Sequence, residues 1–115
     1  MEENKVNSKD LFNSIKVVLV GTTHPGNIGA SARAMKNMGL LNLTLVKPKE
    51  FPSDVATFRS KAAKDILENA LVFEDLKDAV ADCELVIGTS ARDRKVPWPV
   101  LNPKESAEEV AKSAL

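Results

Sequence analysis

Tyrosine is absent from this 115-residue chain, and cysteine, tryptophan and histidine occur once each. The lone cysteine, Cys83, excludes an internal disulfide and leaves no thiol cluster for a metal. Its position before the apolar run Glu84-Leu85-Val86-Ile87 reads as packing rather than catalysis. Charge of one sign is also missing. The 16 Lys and Arg balance 16 Asp and Glu, so no global positive field advertises nucleic-acid binding and any RNA contact must be local. No apolar run approaches the roughly 20 residues that span a bilayer. The start, Met1-Glu2-Glu3-Asn4-Lys5, lacks the basic beginning and apolar core of a signal peptide. These absences point to a soluble, cytoplasmic protein with no membrane segment and no metal.

What is present is globular: 43% hydrophobic and 28% charged residues, in a length that suits one small domain. Residues 1–14 are polar and weakly patterned, a flexible arm whose end Leu11 and Phe12 tack to the body. From residue 15 to 115 strand and helix patterns alternate. Short apolar runs predict strands near Lys16 to Val20, Leu43 to Val46, Leu71 to Phe73 and Leu85 to Gly88. Helical spacing predicts helices near Ile28 to Met38, Asp54 to Leu67 with a break, Asp75 to Ala81 and Pro103 to Leu115. The fold class is therefore α/β, a parallel sheet with flanking helices. The last helix is well marked, with Asn102 as cap, Pro103 at its first position and Glu105 in the capping box.

The most informative stretch is Gly21-Thr22-Thr23-His24-Pro25-Gly26-Asn27-Ile28-Gly29-Ala30-Ser31-Ala32-Arg33, between the first strand and the first helix of the alternating pattern. Its glycines allow main-chain N–H groups to approach a ligand, and a helix N-terminus there favours an anion. Ile28, Ala32, Met35 and Met38 recur at helical spacing and face the sheet, so Arg33 and Lys36 point elsewhere. Two phosphate motifs fail here. Asn27 and Ile28 stand where a P-loop needs Lys and Ser or Thr, and glycines at 21, 26 and 29 miss the dinucleotide pattern. A nucleoside triphosphatase or a dehydrogenase is disfavoured.

The combination Asn27, Gly29 and Arg33 resembles the first motif of the SpoU branch of SPOUT-type RNA methyltransferases, an Asn-x-Gly turn followed by an Arg on the next helix. The resemblance continues through Ala34-Met35-Lys36-Asn37-Met38-Gly39-Leu40, Asp65-Ile66-Leu67-Glu68-Asn69-Ala70 and Val86-Ile87-Gly88-Thr89-Ser90-Ala91-Arg92-Asp93-Arg94 to Pro97-Trp98-Pro99. The last block resembles the enzymes that methylate a ribose 2′-hydroxyl in the tRNA anticodon loop. The resemblance implies S-adenosyl-L-methionine as cofactor, tRNA as partner and a homodimer. It further implies an incomplete SPOUT (α/β knot) domain, because a Gly-rich Arg-Glu segment and a Ser-Leu-Asn segment of the family's knotted C-terminal part do not occur. On this reading residues 15–115 are the N-terminal portion of the methyltransferase domain. One departure stands at Ser60-Lys61-Ala62-Ala63, where Ala62 occupies the position of a family glycine, which bears on the local turn.

Ligands in open parallel sheets bind beyond the carboxyl ends of strands, where both Gly21 to Asn27 and Thr89 to Arg94 are expected. By resemblance Thr89, Ser90 and Ala91 contact the methyl donor; from the residues alone, the two hydroxyls also suit a cap or turn. Arg33 and Asn27 are the candidate catalytic pair. A guanidinium is a permanent cation in water, so Arg33 suits stabilising a developing 2′-alkoxide or clamping the adjoining phosphate. Asn27 can orient a ribose or cap the helix. Arg92, Arg94 and Lys95 are the candidate RNA-binding cluster, Trp98 is a stacking platform or a packing anchor, and His24 has no assigned role. Two functions follow: an RNA ribose 2′-O-methyltransferase, or a non-catalytic RNA- or nucleotide-binding α/β module in which Asn27 and Arg33 hold phosphate.

Overall fold

The computed structural model of the protein describes residues 8–89 together with Lys104 and Glu108. The chain divides into two units, Met1–Ala81 and Asp82–Leu115. The first holds all the elements described here: α1 (Ser8–Asn13), β1 (Lys16–Val20), α2 (Pro25–Met38), β2 (Asn42–Val46), α3 (Asp54–Ser60), a 3₁₀ turn (Lys61–Ala63), α4 (Lys64–Glu68), β3 (Leu71–Phe73) and α5 (Leu76–Ala79).

The three strands form a parallel sheet in the order β1-β2-β3, with Lys16 opposite Asn42 and Thr44 opposite Leu71. The central strand is the one whose side chains are hidden on both faces. Leu43, Thr44, Leu45 and Val46 are each at most 2% exposed, as continuous apolar runs in parallel sheets require. Ile28, Ala32 and Met35 of α2, Ala56 of α3, Ala63, and Ile66 and Leu67 of α4 pack with Leu43 and Leu45 as one core.

Local chemistry marks the helix ends. Ser53 accepts the Val55 N–H at 3.2 Å ahead of α3, and Asp75 accepts the Lys77 N–H at 3.0 Å ahead of α5. Helix α2 closes on Gly39 at φ +81°, with the Gly39 N–H donating to Lys36 C=O and the Leu40 N–H to Met35 C=O, the paired bonds of a Schellman ending. The Phe12 ring of α1 packs on Gly39.

Four expectations need correction. Helix α2 begins at Pro25 rather than Ile28, since proline is suited to the first helical position. Met38 is 57% exposed rather than in the core, because it lies about 80° round the helix from Ile28, off the buried stripe. The helix expected over 75–81 is shorter, Leu76–Ala79, with Asp75 as its cap. The fourth strand does not form: residues 85–89 carry no regular structure, and Leu85 and Val86 are 37% and 56% exposed. Strand propensity needs a ladder and a covered face to be realised, and this run has neither among the described residues. The break inside the 54–67 helix is real. It falls at Lys61, whose backbone takes φ +54° and ψ −118° before the 3₁₀ turn. Of the expected last helix, Lys104 and Glu108 are helical and exposed, and the rest lies outside the described residues.

Candidate functional site

The loop between β1 and α2 is fastened to the carboxyl end of β2. The Gly21 N–H donates to Val46 C=O at 2.8 Å, and the Lys49 N–H donates to Thr22 C=O at 3.0 Å. His24 then caps α2, its Nδ1 accepting the Gly26 N–H at 3.2 Å. Asn27 is therefore not the cap. It sits inside the first turn, exposed, with its own N–H donating to His24 C=O.

Helix α2 packs on α3 at very short range. A Cβ on Gly29 would run into the Ala56 carbonyl and come within 2.8 Å of Arg59 Cβ. That close crossing leaves a groove of about 380 Å³ on the outer side of the two helices. Arg33 and Asn37 line it from α2, together with Ala30 and Ala34. Phe58 and Arg59 at the end of α3, and Lys61 just beyond it, form the opposite wall.

Arg33 is exposed, and among the described residues neither Arg33 nor Arg59 makes an ion pair or a side-chain hydrogen bond. Their neighbour Lys36 differs: its Nζ lies 2.9 Å from Asp65 Oδ2 of α4, and this hydrogen bond lowers the Asp65 carboxyl below its ordinary value. Lys61 Nζ stands 4.4 Å from the centroid of the Phe58 ring, within cation–π range. Among the described residues the groove therefore presents positive charge with no carboxylate in its lining, beside an exposed aromatic ring, which suits an anion carrying a flat apolar group. A smaller hollow of about 140 Å³ beside Phe51, Pro52 and Leu67 contains none of the candidate catalytic, donor-binding or RNA-binding residues.

Arg33 is in this groove and Asn27 is not among its lining. They lie about 9 Å apart along the helix axis and about 120° apart around it. Thr89 is exposed, and among the described residues its side chain has no hydrogen-bond partner. Ser90, Ala91, Arg92, Arg94, Lys95 and Trp98 lie outside the described residues. Among the described residues no group of three or more His, Cys, Asp and Glu could hold a metal, and no helix is long and apolar enough to cross a membrane. The sequence reading overlooked Phe58, Arg59 and Lys61. The available signal was Phe58 itself, which falls off the Ala56–Ser60 buried face of α3.

The SpoU rRNA Methylase family profile matches residues 14–111. The chain belongs to this family. Among SpoU relatives, TrmJ of Pseudomonas aeruginosa (strain UCBPP-PA14), a tRNA (cytidine/uridine/adenosine-2′-O-)-methyltransferase, is 55% identical over 97 residues, or 84% of this chain and 38% of that protein. TrmJ of Sodalis glossinidius (strain morsitans), a tRNA (cytidine/uridine-2′-O-)-methyltransferase, is 53% identical over 95 residues, or 83% of this chain and 37% of that protein. A probable methylase family protein from Haemophilus influenzae Rd KW20 superposes with a TM-score of 0.81 at 46% identity, covering 88% of this chain and 43% of that one. TrmJ from Z. mobilis ZM4 gives a TM-score of 0.81 at 38% identity, over 84% of this chain and 44% of that one. This SpoU chain thus spans under two fifths of the length of the two curated relatives, at 38% and 37%.

Proposed function

We propose that the protein is an S-adenosyl-L-methionine-dependent tRNA ribose 2′-O-methyltransferase and that this chain supplies the part of it that carries Arg33. The observation behind this reading is an exposed guanidinium with no counter-ion among the described residues, held in a concave groove on a helix fixed at both ends. It occurs in a chain 55% identical, over 97 residues, to a tRNA 2′-O-methyltransferase.

Methyl transfer to a ribose oxygen is an in-line displacement, so the protein must align the acceptor and favour charge building on it. Arg33 meets the second need. Its guanidinium donates hydrogen bonds to the developing 2′-alkoxide or to the adjoining phosphate, and the hydroxyl proton leaves to phosphate or water. Asn27, exposed at the start of the same helix, can hold a ribose or phosphate oxygen through its amide. Thr89 offers an exposed hydroxyl of the kind the donor's polar edges need, with Ser90 and Ala91 completing that triplet. The bound donor supplies an electrophilic methyl group on a sulfonium. Arg92, Arg94 and Lys95 add phosphate contacts, the protein works in the cytoplasm, and two copies associate to complete the RNA surface.

The test is product identity. Unmodified tRNA incubated with the protein and labelled methyl donor, then digested to nucleosides, yields label in a 2′-O-methylated nucleoside. Label in a base would overturn the ribose assignment. RNA binding with no transfer would leave the non-catalytic module as the better reading.

A further inference from the structure

We propose that the wall formed by Phe58, Arg59 and Lys61 is an RNA subsite that seats one phosphate and one unstacked base, holding the strand against Arg33. The proposal rests on the reading that the protein acts on RNA. It adds a positioning surface that none of the residues above supplies.

Phe58 is 69% exposed, more than any other large hydrophobic residue found exposed among the described residues. It is also built in rather than loose. Ser53 caps the helix that carries it, and Ala56 and Ser60 on the same helix are fully buried. Lys61 lies over the ring at 4.4 Å although its own backbone sits at φ +54° and ψ −118°, a conformation that favours glycine. A non-glycine residue held there is strained and persists only where the surroundings enforce it. The Arg59 guanidinium lies against Gly26 at the start of α2, its Cζ 3.7 Å from where a Gly26 Cβ would stand. It therefore adds to the positive end of that helix. Arg33, Arg59 and Lys61 line the groove with no carboxylate among its lining residues. Single-stranded nucleic acid is held by this pairing of cations for phosphate with an aromatic face for a base. A second copy of the chain would need an acidic surface to match these cations. The volume of about 380 Å³ is at the small end for ligand sites and suits one nucleotide.

The experiment is fluorescence anisotropy with 5′-fluorescein-labelled dodecauridylate, across a salt series, for the wild type and the variants Phe58→Ala, Phe58→Tyr, Arg59→Gln and Lys61→Gln. Circular dichroism checks that each variant folds. Phe58→Ala should weaken binding about tenfold with an unchanged salt slope, and Phe58→Tyr should retain the affinity. Arg59→Gln and Lys61→Gln should each flatten the slope of log K against log salt by about 0.7. Wild-type affinity in Phe58→Ala, or a wild-type slope in both charge variants, overturns the subsite and leaves the role of Arg33 standing. The expected shifts in a protein that transfers no methyl group keep the subsite and overturn the enzyme reading. No RNA binding by the wild type overturns both. Self-association in sedimentation that Phe58→Ala abolishes would make this face an interface between copies, and the subsite would be withdrawn.

Discussion

The carbonyl of Ala56 on α3 occupies the space that a Cβ on Gly29 of α2 would need. The glycine of the Asn27-Ile28-Gly29 turn therefore serves helix packing rather than loop flexibility. It allows the two helices to cross closely, and Arg33 follows one turn later on the same helix. The close crossing of the two helices and the placing of Arg33 thus depend on one missing side chain.

Gly29→Ala should destabilise the protein by about 1–3 kcal/mol, the range for forcing a methyl group into a filled space. Urea denaturation followed by circular dichroism measures it. Stability equal to the wild type would mean that α3 moves away without cost, and the role given to Gly29 would be wrong.

Removing the cap on α2 is a milder change. His24→Ala takes away the acceptor of the Gly26 N–H and should cost about 1 kcal/mol, as lost N-caps do. His24→Asn should recover most of it, because asparagine is a strong capping residue. Equal loss in both variants would indicate that the imidazole acts through something other than capping.

The Lys36–Asp65 pair predicts a pH effect of defined sign. Lys36 holds the folded Asp65 carboxyl below its ordinary value. A carboxyl lowered in this way contributes stability above its unfolded pKa and loses it as the pH falls through its folded pKa. Both side chains are substantially exposed, so the contribution is small. NMR titration of the Asp65 side-chain carbonyl should place its midpoint higher in Lys36→Gln than in the wild type. Coincident titrations would show that the pair does not form in solution.

The strands of the first unit were legible because each is a short apolar run with clear bounds. Lys16–Val20 and Leu71–Phe73 form over the residues expected, and the middle strand begins one residue early at Asn42. The run at 85–88 has the same composition and forms no strand among the described residues, since composition reports propensity and not the presence of a ladder partner. Pro25 and Gly26 look like loop punctuation in a sequence, yet both are helical. Proline fits a first turn, and glycine inside a helix is explained only by what packs against it. The His24 cap was hidden because histidine is not among the usual capping residues. The groove opposite Arg33 was hidden for a different reason. Phe58, Arg59 and Lys61 face Arg33 only through the crossing of α2 and α3 and the turn at Lys61, which spacing along one helix does not encode. The exposure of Arg33 was legible, because helical periodicity put it off the buried stripe.

The central claim is that Arg33 acts on the ribose oxygen and not on the donor. The most direct test measures the single-turnover methyl-transfer rate on tRNA and the affinity for S-adenosyl-L-methionine, in the wild type and in Arg33→Ala. The account predicts a rate lowered roughly 10²- to 10³-fold, the loss typical of removing one donor to a developing oxyanion, with donor affinity little changed. Equal loss of rate and donor affinity, or a rate close to the wild type, would contradict it.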